Sequence, residues 1–194
     1  MTRAISRPSV TQASLCALGH AEIKYSYWSG GTTMRAAPES LVQVVLAEEL
    51  AALGITLRLE ASVRSLYADS GIEPPASLPR NERGRIDIAL YFKSSQPRFI
   101  VEVKKLRSAK SMNEDQERII KLLQDCPNIQ NGIMLGYATS PHSRELDTLL
   151  DAARHESGTR IVRRMSPVEV QGKDGKPRFL AGAVFRVDPF RPRL

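Results

Sequence analysis

Residues 85–104 read RIDIALYFKSSQPRFIVEVK, and this stretch decides the fold that the sequence predicts. It holds two short runs rich in β-branched and aromatic residues, Arg85 to Phe92 and Arg98 to Lys104. The segment between them is short and polar, and it ends in a proline. Two such runs around a short polar segment are typical of a β-hairpin.

A turn centred on Ser94 and Ser95 places Asp87 opposite Glu102. The same register opposes three apolar pairs, which are Ile86 with Val103, Ile88 with Val101, and Leu90 with Phe99. Because side chains alternate between the faces of a strand, the apolar partners share the core side, and Asp87, Glu102 and Lys104 emerge together on the other. Opposed Cβ atoms lie only about 4.5 to 5.5 Å apart, so two like charges there repel and need a compensating cation. A divalent metal beside a lysine would meet that need and suits phosphodiester hydrolysis.

An acid, a hairpin turn, and then an acid-X-lysine triplet on the next strand resemble the signature of the PD-(D/E)XK nuclease superfamily. The resemblance implies a restriction-endonuclease-like fold in which Asp87 and Glu102 bind Mg²⁺ or Mn²⁺. It also implies that Lys104 positions the attacking water and that the backbone carbonyl of Val103 is a metal ligand. Ile86 stands where the family name has a proline.

The elements around the hairpin follow the order of that family core, which is helix, three strands, helix and strand. Apolar periodicity, capping residues and turn residues predict the following elements: a helix from Pro38 to Leu53, a strand from Ile55 to Val63, a helix from a capping box at Ser111 to about Asp125, a strand from Gly132 to Ala138, and a helix from His142 to Glu156. The predicted fold is therefore α/β, with an α-β-β-β-α-β core whose central mixed sheet is flanked by helices. A C-terminal hairpin, Pro167 to Gln171 with Arg178 to Val187, is added to it.

Three regions follow from these elements. Residues 1–37 are predicted as an N-terminal extension with a strand at Ala21 to Trp28. Residues 38–156 form the nuclease-like core, and residues 157–194 form a basic β extension packed on the same domain. Ser65 to Gly84 is predicted as a long polar loop that either contacts the substrate or is a disordered insertion.

Two further residues are implied by the resemblance. Glu39, at the start of the first core helix, would be an additional metal ligand, with Glu48 and Glu49 as rivals. Gln116 would support the site from the second helix. Both have plainer explanations, because an acid in the first turn is favoured by the helix dipole and a buried amide commonly bonds to backbone groups. The triplet itself, taken alone, is an ordinary solvated strand face.

Positive charge is concentrated in the flanks. The chain has a formal charge of +7, and its last 44 residues carry ten Lys or Arg against five acids. Cations of this kind contact phosphates, so we expect nucleic acid as the partner. The resemblance to restriction-endonuclease-like nucleases implies DNA rather than RNA. The alternative is a basic surface that only keeps the protein soluble. The predicted phosphate contacts are Arg160, Arg163, Arg164, Lys173, Lys176 and Arg178.

Composition bounds the setting. No stretch approaches the roughly 20 apolar residues that a membrane helix requires, so no membrane partner is expected. Cys16 and Cys126 are isolated, which suits a reducing cytoplasm and argues against a structural zinc site.

The function expected from these observations is a Mg²⁺- or Mn²⁺-dependent nuclease, in particular a DNA endonuclease of the restriction, defence or recombination type. One alternative is a nuclease-like module that binds nucleic acid or a partner protein without cutting. Another is the nuclease subunit of a larger complex. A homodimer would fit an enzyme that cuts both strands, because two cuts need two sites.

Overall fold

The computed structural model describes residues 6–76, 78, 84–91 and 95–189. These residues form an α/β structure in which helices flank one six-stranded mixed sheet. In chain order the elements are α1 (Arg7–Trp28), α2 (Glu39–Ala52), β1 (Thr56–Ser62), α3 (Val63–Asp69), β2 (Arg85–Tyr91), β3 (Pro97–Lys105), α4 (Asn113–Asp125), β4 (Asn131–Ser140), α5 (Ser143–Ser157), β5 (Arg160–Gln171) and β6 (Pro177–Val187). Among the described residues, none of these helices combines the length and the apolar content needed to cross a bilayer.

The sheet has the strand order β1-β2-β3-β4-β6-β5. Neighbouring strands are antiparallel except β3 and β4, which are parallel. A parallel pair needs a crossover connection, and α4 supplies it. Apolar residues of α1 and α2 pack on one face of the sheet, and those of α3, α4 and α5 pack on the other. Buried on both faces, the central strands β3 and β4 are almost continuously apolar.

Most of the predicted elements are confirmed within one to three residues at each end. The first core helix, the strand after it, the two strands of the hairpin, the fourth core strand and the helix after it all form. The C-terminal hairpin forms as well, but β5 begins at Arg160, seven residues before the predicted start at Pro167. The crossover helix α4 begins at Asn113, two residues after the predicted start at Ser111. The predicted capping box at Ser111 is wrong, because Ser111 instead pairs with Ser108 in a capping box that starts a preceding 3-10 helix, Ala109–Met112.

The prediction of a strand at Ala21 to Trp28 is wrong, because this segment is the last third of α1. The Ser6 hydroxyl caps the helix and Pro8 lies in its first turn, where a proline is tolerated. Small and apolar side chains, including Val10, Ala17 and Leu18, are fully buried in the same cluster as the apolar residues of α2. The aromatic residues that suggested a strand therefore belong to the end of a long helix, one side of which is buried between Val10 and Glu22.

The predicted loop from Ser65 to Gly84 is also wrong at its start. Residues Val63–Asp69 form α3, which the Ser62 hydroxyl caps by accepting a hydrogen bond from the Ser65 N–H. Leu66 and Tyr67 of this helix are fully buried. Positions 77 and 79–83 of the same segment, and 92–94 of the hairpin turn, lie outside the described residues.

The hairpin register is confirmed for Ile88 with Val101 and for Leu90 with Phe99, but the ladder between β2 and β3 ends at Ile88. The predicted side of Ile86 is wrong, since Ile86 packs in the cluster on the α4 face while Ile88 packs on the α2 face. Glu60, which lies between the partners of these two residues on β1, has a φ of 50°. Such a conformation is uncommon for a residue with a side chain. The side chains of β2 therefore switch from one face of the sheet to the other between Ile86 and Ile88, next to Asp87.

Candidate active site

Asp87 lies where β2 separates from the ladder with β3. Its carboxylate oxygen Oδ2 accepts a hydrogen bond from the backbone N–H of Val103 at 2.6 Å. The side chains of Glu102 and of Gln43, on α2, also hydrogen-bond to it. Burial raises the pKa of Asp87, although these hydrogen bonds act in the opposite direction. The predicted pairing of Asp87 with Glu102 is therefore made by their side chains, at the end of the backbone ladder.

Glu102 is the more deeply buried of the two acids, with 3% of its surface exposed. Burial, reinforced by the negative charge of Asp87, raises the pKa of Glu102 to about 10. At neutral pH the two carboxyl groups therefore share a proton, which Glu102 holds and donates toward Asp87. A cation at this position would remove the need for that proton.

One oxygen of Glu102 is incompletely satisfied. Arg118 on α4 approaches it, with 3.2 Å between Nη2 and Oε1. This contact lacks hydrogen-bond geometry, since Oε1 is buried with no hydrogen-bond partner. The Nε of Arg118 is also buried without one. Buried polar atoms of folded proteins are usually paired, so these two mark a place where a ligand would complete the contacts.

Lys104 follows on the same face of β3. Its ammonium lies 2.8 Å from Oδ2 of Asp115, which is on the first turn of α4 and also forms an ion pair with Arg118. Burial lowers the pKa of Lys104, but Asp115, Glu39 and Glu102 outweigh it and raise the pKa overall. Lys104 is thus a fixed cation beside the acid pair, suited to orient a water or to neutralise charge.

The backbone of Val103 lies between these side chains. Its N–H is directed to β2, where it meets the Asp87 carboxylate. The N–H and C=O of one strand residue point to the same side, so the Val103 carbonyl also faces β2. The ladder has already ended there at Ile88. This orientation is the one that the predicted role of the carbonyl as a metal ligand requires.

Glu39 opens α2, as predicted, and its Oε1 accepts a hydrogen bond from the backbone N–H of Lys105 at 3.3 Å. Its rivals contact α1 instead, Glu48 through Lys24 and Glu49 through His20 at 2.6 Å. Across the part of the chain that the structure describes, no group of three or more His, Cys, Asp or Glu converges closely enough to hold a metal ion. Ligation by Glu39 therefore stays a prediction.

Gln116 has a structural contact. Its side-chain amide donates to the backbone carbonyl of Ser157, at the end of α5, and so ties α4 to α5. This is the plainer of the two explanations that the sequence left open.

Sequence reasoning missed three residues of the site, Gln43, Asp115 and Arg118. Gln43 lies one helical turn after Glu39, which was considered, and Arg118 lies one turn after Asp115. Residues at these spacings are neighbours on a helix surface. Charged and amide groups repeated at that spacing were the available signal.

The predicted phosphate contacts are spread over two strands. Arg160 and Arg163 are exposed on β5, an edge strand. Arg164 forms ion pairs with Asp147 and Asp151 of α5. The remaining three, Lys173, Lys176 and Arg178, lie at or beside the turn between β5 and β6.

The chain was compared with protein-family models, with curated proteins and with solved structures, and nothing matches it in any of the three comparisons.

Proposed function

We propose that this protein is a divalent-metal-dependent nuclease with a core of the restriction-endonuclease type. The observation that carries the proposal is the pair of adjoining carboxyl groups, half-buried Asp87 and buried Glu102, with an unsatisfied Glu102 oxygen and the ammonium of Lys104 beside them. Structural ion pairs place opposite charges together, whereas this arrangement places two acids together at a cost that a cation would offset.

The residues that would hold the metal are Asp87, Glu102 and the backbone carbonyl of Val103, with Glu39 as a further predicted ligand. All are oxygen donors, which Mg²⁺ and Mn²⁺ prefer. When bound, a divalent cation polarises a phosphoryl oxygen and lowers the pKa of a water molecule. The unsatisfied Glu102 oxygen fits this role because it is buried and has no hydrogen-bond donor.

The chain's own cations would do the rest. Lys104 is held in place by Asp115 and stays protonated, so it would orient the attacking water and stabilise charge on the phosphate rather than act as a base. Arg118, on α4, approaches the carboxyl group of Glu102, and its buried Nε–H has no hydrogen-bond partner. Its guanidinium is suited to neutralise a phosphate oxygen.

We propose DNA as the substrate in preference to RNA, as the resemblance to restriction-endonuclease-like nucleases implies. We further propose a cytoplasmic setting. Action as a homodimer or within a larger nuclease complex is part of the same proposal, because cutting a duplex needs two sites.

The test is cleavage of supercoiled and linear DNA, and of a matched RNA, by the purified chain in Mg²⁺, in Mn²⁺ and in EDTA. We expect metal-dependent cleavage that falls by at least about 100-fold in Asp87→Ala and in Lys104→Ala, since each removes a charge from the reacting centre. Asp147→Ala is the matched control, because this acid pairs with Arg164 on the far side of α5. Cleavage that survives both site substitutions would refute the mechanism. Binding without cleavage under every condition would indicate a non-cleaving module, and cleavage only with an added partner would indicate a subunit.

A further inference from the structure

Two adjoining cavities form a groove at the end of the sheet where β3 and β4 finish. The first is about 610 Å³ and the second about 460 Å³, and both are lined by Arg35 and Arg178. Lys105 and Arg107 also line the first cavity, and Lys173 lines the second. We call this surface the basic groove.

The basic groove begins next to the candidate active site. Lys105, which lines it, follows Lys104 on β3, and the backbone N–H of Lys105 donates to Oε1 of Glu39, the further predicted metal ligand. The Lys105 ammonium donates to the backbone carbonyls of Met34 and Ala37, both at 3.2 Å, and so fastens the segment before α2 across the end of β3. Thr139 and Ser140, at the end of β4, form the opposite wall together with the first turns of α5.

The arginines of the groove have capacity for an anion. Arg35 and Arg107 are exposed, and neither forms an ion pair with a carboxylate of any other described residue. Arg178 has a loose contact with Asp174, at 3.6 Å. One acid, Glu145, lines the first cavity, and it accepts a hydrogen bond from the Ser140 hydroxyl. The groove therefore has more cations than acids, and the two acids that line it, Glu145 and Asp174, form no ion pair with Arg35 or Arg107.

The size of the groove and its neighbours favour one strand over a duplex. Cavities of about 300 to 1,000 Å³ hold small ligands, so the two here have room for a few nucleotides but not for a double helix. Tyr27 and Trp28 are 85% and 64% exposed at the end of α1. The chain turns back after them, and Thr32 lines the second cavity only four residues later. A cationic groove with exposed aromatic rings is the usual design for binding single strands.

We propose that the basic groove binds the phosphates of a single-stranded nucleic-acid segment that leads into the candidate active site, with Trp28 stacking on a base. The idea of the segment as a substrate rests on the proposed function. Binding in the groove is measured without metal and does not depend on cleavage.

The experiment is fluorescence anisotropy with a labelled single strand of about 12 nucleotides and with the same sequence as a duplex, in EDTA. We expect the single strand to bind more tightly. Arg35→Ala and Arg107→Ala should each weaken its binding about three- to tenfold and lower the salt-dependence slope by about 0.7, the value for one lost contact. Trp28→Ala should weaken it about five- to tenfold, and in the parent chain the fluorescence of this single tryptophan should be quenched on binding.

Arg64→Ala is the matched control, because Arg64 is an exposed arginine of α3 that lines neither cavity and is not among the predicted phosphate contacts. It should change affinity less than twofold, and all four variants should melt within a few degrees of the parent chain. The proposal is overturned if Arg64→Ala is as damaging as Arg35→Ala, or if the duplex binds at least as tightly as the single strand. If groove variants lose binding but no metal supports cleavage, the groove stands and the nuclease proposal fails. If cleavage occurs and groove variants bind normally, the nuclease proposal stands and the groove proposal fails.

Discussion

Two clusters of acids in this protein differ in how their charge is compensated. Between β5 and α5, Arg164 lies 3.1 Å from Asp147 and 2.7 Å from Asp151, and about half of each aspartate side chain is exposed. At the end of the β2–β3 ladder, Asp87 and Glu102 adjoin each other, and Glu102 is almost wholly buried. The first cluster is one cation between two solvated acids. The second is two acids whose neighbouring cations, Lys104 and Arg118, are shared with Asp115.

The difference separates a group of charges that is compatible with folding from one that lowers the stability of the folded state. A solvated ion pair needs no further explanation and contributes little to stability, whereas burying a carboxyl group beside another is costly. Glu102 keeps its proton because burial and the negative charge of Asp87 outweigh the opposing charge of Arg118. Such an arrangement is typical of sites where an incoming cation completes the electrostatics.

Substitution of Glu102 should break this contrast with the largest effect. Glu102→Gln preserves the shape of the protonated acid but cannot bind a cation as a carboxylate. We expect cleavage to fall by about 10³-fold, since the substitution removes a proposed ligand of the metal. Asp151→Asn, the matched acid-to-amide change in the other cluster, should leave cleavage within about twofold. Initial cleavage rates in Mg²⁺ and Mn²⁺ measure both, and equal losses in the two variants would contradict the distinction.

The same variant should be more stable than the parent chain at alkaline pH in EDTA. The folded-state pKa of Glu102, about 10, lies above its ordinary value of 4.5, so the folded chain binds more protons than the unfolded chain between these two values. Stability should therefore fall as pH rises from about 5 to 10, and the glutamine should remove this slope. Each kcal/mol corresponds to about 2 to 4 °C in melting temperature for a chain of this size. Thermal melts from pH 5 to 9 test this, and parallel curves for the two proteins would contradict it.

Metal binding should release a proton. Because Glu102 holds a proton at neutral pH, a divalent cation that ligates the carboxylate must displace it. Titration calorimetry of Mn²⁺ at pH 7 in buffers with different ionisation enthalpies should report the release of about one proton for each ion bound, and affinity should rise with pH. In Glu102→Gln the release should vanish. Tight binding with no proton exchange would place the metal elsewhere.

The sequence predicted the centre of the fold better than its edges. The hairpin, α2, α5 and β4 carry signals that are local, such as alternation, apolar periodicity and turn residues. The helix α1 was missed because its last eight residues, read alone, resemble a strand. The helix continues into them from the segment between Val10 and Glu22, whose burial against α2 and the sheet is a tertiary effect.

The sequence predicted the two acids and the lysine at the centre of the candidate site, but not the neighbouring side chains that contact them. The neighbourhood of Asp87 and Glu102 follows from strand register alone. The ladder ends at Ile88, and the Val103 N–H donates to the Asp87 carboxylate instead. Both features lie beside the unusual backbone of Glu60, which no sequence pattern predicts. Arg118 and Asp115 come from the crossover helix, whose position over β3 is set by packing.

Gln116→Ala should separate stability from activity. The amide donates to the Ser157 carbonyl, so its loss should lower the free energy of unfolding by about 0.5 to 1.5 kcal/mol, the usual worth of one hydrogen bond. Cleavage at 25 °C should stay within about twofold. Denaturant melts and cleavage rates on one preparation measure the two quantities. A loss of cleavage above tenfold with unchanged stability would restore Gln116 to the site.

The smallest effect should come from Arg164→Ala, which breaks the solvated cluster. Because Asp147 and Asp151 are about half exposed, water and salt screen the pairs, and the free energy of unfolding should fall by only about 0.5 to 1 kcal/mol. The loss should shrink further in 0.5 M salt, since screening already weakens the pairs in the parent chain. Denaturant melts at low and high salt test this. A loss of several kcal/mol that salt does not reduce would mean that this cluster, too, behaves as a buried one, and the contrast between the two groups of acids would fail.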